Sequence, residues 1–306
     1  MPRIAYLGPE RTFTEQATRR LVDPASHELI PATTVAAALE LVRLDKVDAA
    51  VVPVENSVEG SVPPTLDGLA LGSPLVAVAE TVLPVRFTVL VRPGTKAADV
   101  RTVTSHPHAL AQVREWLAAN LPGAAELATT STAAAAVAVA EGTADAAITA
   151  PIAAEGSALT ALAADIGDVA DAVTRFLLVR KPGLVPAPTG NDRTSIVVVT
   201  ENRPGSLSEV LVELALRGID LCRIESRPTR EKLGIYRFFL DFAGHIAEPR
   251  VGEALAALHR TCSDVRFLGS FARADGDSPP PPPGTGTAEF TEAAQWLAQV
   301  RAGGQA

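Results

Sequence analysis

The sequence is poor in aromatic residues, cysteine and metal-binding motifs. Aromatic side chains make up 4% of 306 residues, so any core is built mainly from alanine, valine, leucine and isoleucine. The two cysteines, Cys222 and Cys262, form no CxxC pair. We expect them to be small buried core residues in a reducing compartment. The five histidines are scattered, without an HExxH motif or a His/Cys cluster, so we expect no metal site.

The chain also lacks an excess of positive charge and any long hydrophobic run. A net charge of -8 argues against general nucleic-acid binding. Residues 1–8 have the pattern of a strand and a turn rather than a signal peptide, and no run approaches the length of a transmembrane helix. We therefore expect a cytoplasmic protein that binds neither nucleic acid nor membrane. An anionic ligand would then require a local cation, such as an individual arginine.

Residues 1–181 alternate short apolar strands with alanine-rich helices, which is an α/β pattern. Within them, segment 33–53 aligns without gaps with segment 130–150, each reading as a hydroxyl-capped helix followed by a strand. The repeat predicts two similar lobes that deliver polar residues to a cleft between them. Such an arrangement is typical of closing small-molecule receptors.

Three further segments follow. Residues 182–193 are rich in proline and glycine and are expected to be a linker. Residues 194–271 show the order βαββαβ, which is the ferredoxin-like pattern. Residues 272–306 form a tail with a polyproline spacer and an amphipathic helix over 289–301, which we expect to pack onto the body or a partner subunit.

The tripeptide Thr174-Arg175-Phe176 stands at the mouth of a short apolar strand. It places a hydroxyl, a fixed cation and an aromatic ring where binding chemistry usually lies. Alone, the tripeptide would be interpreted as a solvated arginine on an edge strand.

Four stretches of residues 1–181 resemble motifs of the prephenate dehydratase catalytic domain, and two of residues 194–271 resemble the attached ACT regulatory domain. They are Gly8–Thr14, Pro53–Gly60, Ser105–Gln112, Thr174–Phe176, Pro204–Leu207 and Glu225–Pro228. Arg11 stands where the family usually has glycine. The resemblance implies a two-lobed, periplasmic-binding-protein-like α/β domain followed by a ferredoxin-like ACT domain. It also implies the cofactor-free conversion of prephenate to phenylpyruvate, with loss of carbon dioxide and water.

The resemblance assigns roles to the tripeptide and to several loop residues. Thr174 is expected to donate a hydrogen bond to the departing hydroxyl, and Arg175 to anchor a substrate carboxylate. Phe176 either contacts the substrate ring or packs in the core. Ser131 caps a helix, contacts substrate or does both, and Glu59 holds a hinge or a water or is a surface carboxylate. The expected substrate-binding residues are Arg175, Phe176, Thr12, Asn56, Ser57, Glu59, Ser105, Ser131 and Thr149.

The resemblance also implies phenylalanine as an effector, bound where ACT domains pair across a dimer interface. A homodimer or homotetramer is therefore expected. Arg227 either contacts the effector or forms an ion pair with Glu225 or Glu231. The expected effector-binding residues are Asn202, Gly205, Ser206, Leu207, Glu225, Ser226, Arg227 and Pro228.

Two alternatives to this function remain open. Arogenate differs from prephenate by an amino group in place of a keto oxygen and is a possible substrate. A non-catalytic amino-acid sensor would have a similar two-lobed architecture, but it would not need the hydroxyl of Thr174. The adjacent pair Ser105-His106 suggests a nucleophile and its base, but a turn that begins a helix over Ala109–Leu117 is the favoured interpretation.

Overall fold

A computed structural model of the protein describes residues 1–230, 234–276 and 279–304. The chain separates into two compact units. The first comprises Met1–Gly68 and Thr81–Lys181, and the second comprises Leu69–Glu80 and Pro182–Ala306. Residues 69–80 are thus grouped with the C-terminal part of the chain, which their composition did not indicate.

The first lobe of the first unit is built on a sheet with the order β2-β1-β3-β11-β5, and β4 pairs with β3. Strands β1, β2 and β3 are parallel, whereas β11 runs antiparallel to β3. The threonines Thr12 and Thr34 begin α1 and α2, because each hydroxyl accepts a backbone N–H of the first turn. The elements are β1 (Arg3–Leu7), α1 (Phe13–Leu21), β2 (Glu28–Ala32), α2 (Val35–Arg43), β3 (Ala49–Asn56), β4 (Gly60–Ser61), α3 (Pro63–Ala70), β5 (Val76–Pro84) and β11 (Val173–Arg180). Of these, α3 and β5 are shared with the second unit, which includes Leu69–Glu80.

The second lobe is built on a five-stranded sheet with the order β10-β6-β9-β7-β8. Its helix α6 has nine residues and is capped by Ser131, just as α2 has nine residues and is capped by Thr34. Strands β9 and β3 follow these two helices, so the structure contains the predicted repeat. The elements are β6 (Thr88–Val91), β7 (Thr102–Ser105), α4 (Pro107–Ala111), α5 (Arg114–Asn120), β8 (Ala125–Ala128), α6 (Thr132–Ala140), β9 (Ala146–Thr149) and β10 (Thr160–Ala164).

The single helix expected over Ala109–Leu117 is wrong, because α4 and α5 are separate there. The carboxylate of Asp168 accepts the backbone N–H groups of Glu115 and Trp116, at 3.1 and 3.2 Å. A carboxylate that binds the free N–H groups of a first turn stabilises a new helix start. Asp168 lies more than fifty residues away in the chain, so local sequence could not reveal this interruption.

Phe13 connects the hydrophobic cores of the two lobes. It packs against the first-lobe cluster that contains Tyr6 and Phe176, and also against the second-lobe cluster that contains Phe87. Its ring meets that of Phe87 edge to face, with centroids 5.7 Å apart. The loop that precedes α1 is therefore held between the two lobes by buried aromatic contact.

The second unit contains the predicted βαββαβ order in an antiparallel sheet, β13-β14-β12-β15. Its core is formed by apolar side chains of the strands and of α7 and α8. Strand β12 begins at Asp192, inside the expected linker, because that carboxylate accepts the N–H groups of Thr189 and Gly190 at 2.8 and 3.0 Å. The elements are β12 (Asp192–Val199), α7 (Ser206–Ala215), β13 (Leu221–Pro228), β14 (Tyr236–Ala243), α8 (Pro249–Thr261), β15 (Asp264–Ala272) and α9 (Thr287–Arg301).

Two expectations for this unit differ from the structure. Cys222 is exposed rather than buried, because it lies on the outward face of the edge strand β13, and Cys262 is half-buried. Helix α9 forms as expected, but Trp296 is 52% exposed and Leu297 is 39% exposed. Among the described residues, the one hydrogen bond from α9 to the rest of the unit is at its beginning, where the Thr287 hydroxyl donates to the Glu248 carboxylate at 3.2 Å.

Candidate active site

Thr174 and Asn56 are brought together by the pairing of β11 with β3, where they lie opposite each other. The amide nitrogen of Asn56 donates to the hydroxyl oxygen of Thr174 at 2.8 Å. The orientation of the amide follows from its other partners, because its oxygen accepts the backbone N–H groups of Val58 and Glu59 at 2.8 and 2.9 Å. Asn56 therefore acts as a donor toward Thr174.

This contact determines how the Thr174 hydroxyl is used. Because its oxygen accepts from Asn56, its own proton remains available for donation to another group. Accepting a hydrogen bond also polarises the O–H bond and strengthens it as a donor. The side chain is half-buried, which limits competition from water. The threonine thus has the partner that the sequence alone did not reveal.

Arg175 is 6% exposed, and its Nη1 atom lies 3.5 Å from Oε2 of Glu55. The strand pairing is irregular at this point, since Arg175 lies opposite Glu55 but Phe176 lies opposite Pro53. Such a bulge redirects side chains and is common beside active sites. Arg175 is therefore a buried cation next to a half-exposed carboxylate, and a ligand carboxylate would have to share it with Glu55.

Phe176 and Ser57 support the strand that carries Thr174. Phe176 is 2% exposed and lies in the first-lobe core with Tyr6, so core packing is its observed role. Ser57 is exposed, and its hydroxyl accepts the N–H of Val173 at 3.0 Å. Its own backbone N–H donates to the carbonyl of Val173 at 2.9 Å. Ser57 therefore fixes the residue that precedes Thr174.

Thr12 lies in the loop before α1. Its hydroxyl donates to the carbonyl of Leu7 at 3.3 Å and accepts the N–H of Glu15 at 3.4 Å. Glu15 itself is buried, and its carboxylate accepts a hydrogen bond from Arg19 at 2.5 Å. Burial and the neighbouring Glu15 carboxylate raise the pKa of Tyr6 above its usual range. Thr12 is thus held in a rigid polar cluster at the start of the helix.

Three candidate hydroxyl groups of the second lobe have different environments. Ser105 is fully buried and donates to the carbonyl of Ile148 at 2.6 Å. Ser131 caps α6 by accepting the N–H of Ala134 at 3.0 Å. Thr149 is fully buried, and its hydroxyl has no hydrogen-bond partner among the described residues. An unsatisfied buried hydroxyl is costly, which distinguishes Thr149 from the other two.

Sequence reasoning missed Gln112 as a possible site residue. Its side-chain amide donates to Glu59 at 3.4 Å, so this contact joins the second lobe to the first. Glu59 itself is exposed. Gln112 closes the motif that begins at Ser105, and that motif was the available signal. The pairing with Glu59 depends on tertiary structure, since 53 positions separate the two residues.

A cavity of about 940 Å³ lies in the first unit. First-lobe residues of the loop before α1 and second-lobe residues of α6 line it. Ser131 is a lining residue, whereas Thr174, Asn56 and Arg175 are not. The volume is within the range of small-molecule sites. Arg11 and Ser131 are among its lining residues.

The candidate effector residues lie on two elements of the second unit. Gly205 has φ 86° and begins α7, and a Cβ atom added to it would meet nothing within 4 Å. Ser206 accepts from Thr200 at 3.2 Å. Asn202 and Leu207 flank this turn, and Glu225, Ser226, Arg227 and Pro228 form the end of β13.

One of the two possibilities for Arg227 is visible in the structure. Its Nη1 atom lies 4.0 Å from the carboxylate of Glu225, so the ion pair is present. Glu231, the other candidate partner, lies outside the described residues.

The comparisons with known proteins agree with this geometry. A sequence model of the prephenate dehydratase family matches residues 4–183, and one of the ACT domain matches residues 194–260. A prephenate dehydratase from Amycolatopsis methanolica is 58% identical over 307 residues, which covers 100% of both chains. The chain belongs to the prephenate dehydratase family. The predicted two-lobed, periplasmic-binding-protein-like domain and ferredoxin-like ACT domain are thereby confirmed.

Solved structures show that the similarity to this family extends over nearly the whole chain. A prephenate dehydratase from Arthrobacter aurescens, crystallised with L-Phe, has a TM-score of 0.92 and 46% identity, and the match covers 98% of this chain and 99% of that one. GqqA, described as a novel type of quorum quenching acylase, has a TM-score of 0.80 and 28% identity over 89% of this chain and 98% of its own. The Amycolatopsis and Arthrobacter dehydratases are more similar to this chain, at 58% and 46% identity. No helix in the described ranges is long and apolar enough to cross a membrane.

Proposed function

We propose that this member of the family converts prephenate to phenylpyruvate without a cofactor and responds to phenylalanine through its ACT domain. The observation that carries the proposal is the hydrogen bond from Asn56 to Thr174. Because the hydroxyl oxygen of Thr174 accepts from Asn56, its proton is free to be donated to a ligand.

The reaction requires one proton and no redox partner. The bond between the ring and its carboxylate breaks, and its electron pair enters the ring as carbon dioxide departs. The C–O bond at the opposite ring carbon then breaks, and hydroxide accepts a proton to leave as water. Thr174 donates the hydrogen bond to this departing oxygen, and solvent restores any proton that it transfers. Aromatisation supplies most of the driving force, so stabilising the leaving group is the remaining requirement.

The other candidate residues have positioning roles in this proposal. Asn56 orients Thr174, and Ser57 fixes the strand before it. Thr149 offers a buried hydroxyl with no described protein partner, which suits a substrate oxygen reached on closure of the lobes. Thr12, Ser105 and Ser131 already bond to backbone groups and would contribute to substrate binding chiefly through shape.

Regulation and assembly are part of the same proposal. The Arthrobacter relative was crystallised with L-Phe, and this chain carries the same domain type. We assign phenylalanine binding to the turn at Gly205 and to the end of β13. The exposed N–H groups of a helix start that follows a glycine suit the carboxylate of an amino acid. A homodimer or homotetramer would pair these domains.

An assay of the purified protein tests the proposal. Phenylpyruvate should form from prephenate faster than phenylalanine forms from arogenate, and added phenylalanine should change the rate. Acylase activity, which is named for GqqA, should be absent. Binding of prephenate without turnover would favour a sensor and contradict the enzyme. Faster turnover of arogenate would contradict the substrate assignment.

A further inference from the structure

Arg11 has a backbone conformation that favours glycine. Its φ angle is 65°, in the left-handed region, which costs a residue with a side chain about 1–2 kcal/mol. The conformation is fixed, because the N–H of Arg11 donates to the buried carboxylate of Glu15. Strained residues of this kind cluster at ligand sites. Glycine at this position would avoid the strain, yet the chain carries an arginine.

The guanidinium group of Arg11 faces the cavity and has no acidic partner in the described part of the chain. Arg11 is exposed and lines the cavity of about 940 Å³. Both oxygens of Glu15 are engaged, one by Arg19 and the other by the backbone of Arg11. The Nη2 atom of Arg11 lies 3.3 Å from where a Cβ atom on Gly156 of the second lobe would be. The guanidinium group therefore reaches the second lobe without an ion pair in the described part of the chain.

The chemistry of the reaction limits which carboxylate a cation can hold productively. The ring carboxylate must leave as neutral carbon dioxide, so an ion pair with it would stabilise the ground state more than the transition state. The side-chain carboxylate keeps its charge from substrate to product. A cation bound to that group positions the substrate without opposing decarboxylation.

The geometry of the substrate also separates this cation from Thr174. The hydroxyl and the side chain are attached to opposite carbons of the ring. The group that assists the hydroxyl and the group that holds the side-chain carboxylate must therefore lie at opposite ends of the molecule. Arg175 is adjacent to Thr174 in an extended strand and is paired with Glu55, so it is poorly placed for that carboxylate. Arg11 is on a different loop, which Phe13 ties to the core that contains Phe176.

We propose that Arg11 is a specificity-determining residue that binds the carboxylate retained by the product. This inference rests on the proposed function and names a residue for the substrate carboxylate that the product retains. Since phenylpyruvate carries the same group, Arg11 should bind substrate and product alike. An uncharged residue at this position would leave the cavity without its charged anchor.

The variant Arg11→Gly separates binding from stability. It removes the cation and relieves the backbone strain, so the thermal midpoint should not fall. The KM for prephenate should rise about tenfold or more, since hydrogen bonds to charged groups have this magnitude. The inhibition constant of phenylpyruvate should rise by a similar factor, while kcat stays within about threefold. Arg11→Lys should recover part of the lost affinity.

A control and two contradicting outcomes complete the test. Arg101 is exposed, lies in the same unit and makes no described side-chain ion pair, so Arg101→Gln should leave both constants unchanged. An Arg11→Gly enzyme with the KM of the wild type would overturn this inference alone. A wild-type protein that makes no phenylpyruvate would overturn the proposed function and this inference with it.

Discussion

At the scale of single residues, the pairing of Asn56 with Thr174 makes a sharp prediction. In Asn56→Asp the new carboxylate still accepts the loop N–H groups, but it cannot donate to Thr174 and instead competes for the threonine proton. We expect kcat to fall by about 100-fold or more, the usual contribution of a positioned proton donor, while KM changes little. Steady-state kinetics of phenylpyruvate formation measure both constants.

Two threonine variants provide the control for that result. Thr174→Ser keeps the hydroxyl and should retain most turnover. Thr174→Val keeps the shape but removes the hydroxyl, and should match the loss in Asn56→Asp. Wild-type turnover in Asn56→Asp would show that the amide does not orient the threonine.

The same scale shows why the candidate site was only partly predictable. The residue types were recognisable from short motifs, but the partner of each hydroxyl was not. Ser105 and Thr149 looked equivalent in sequence, yet the first bonds to the carbonyl of Ile148 and the second has no described partner. The partner of Thr174 lies 118 positions away and is fixed by strand register. Hydrogen-bond partners that depend on register cannot be read from local sequence.

At the scale of secondary-structure elements, β5 has a buried ion pair in its second-unit half. Glu80 and Arg193 have side chains 0% and 2% exposed, and Arg193 Nη1 lies 2.8 Å from the Glu80 carboxylate. Arg193 also binds Asp275 at 2.5 Å. Burial alone would raise the pKa of Asp275, but hydrogen bonds from Arg193 and Arg273 outweigh it and hold this pKa below its usual value. Removing one partner would leave buried charge unpaired.

We predict that Arg193→Met lowers the free energy of unfolding by about 3–5 kcal/mol, because the buried Glu80 carboxylate loses its cation. The double variant Arg193→Met with Glu80→Gln should recover part of that loss, since no buried charge then remains unpaired. Urea denaturation measures both. The exposed ion pair of Arg203 with Glu209 offers the matched control, and Arg203→Met should leave the unfolding midpoint nearly unchanged. Equal effects of Arg193→Met and Arg203→Met would contradict a structural role for the buried pair.

The elements themselves were largely predictable where the pattern is local. The βαββαβ order and the two capped helices of the repeat follow from apolar periodicity and hydroxyl caps. The grouping of residues 69–80 with the second unit was not predictable, because it depends on tertiary contacts. Gly269 shows this, since a Cβ atom there would lie 2.2 Å from the carbonyl oxygen of Ala77. Such close backbone approach has no local signature.

At the scale of the whole molecule, this grouping changes how regulation should be tested. A chain ending at Lys181 would keep Glu80 but lose Arg193 and the backbone N–H of Ala274, which also binds Glu80 at 2.9 Å. Residues 69–80 would lose the rest of their compact unit. We expect this truncated protein to be unstable, so its loss of activity would not report on regulation. A point substitution in the proposed effector turn is the better probe.

Gly205→Ala is that substitution. Its φ angle of 86° makes alanine strained by about 1–2 kcal/mol, and the new methyl group enters space open for a ligand. Gly142→Ala is the matched control, because Gly142 has φ 79° and equally open surroundings in the first unit. Both variants should lose similar stability and keep their basal kcat/KM. Only Gly205→Ala should lose the response of the rate to phenylalanine, and a retained response would place the effector elsewhere.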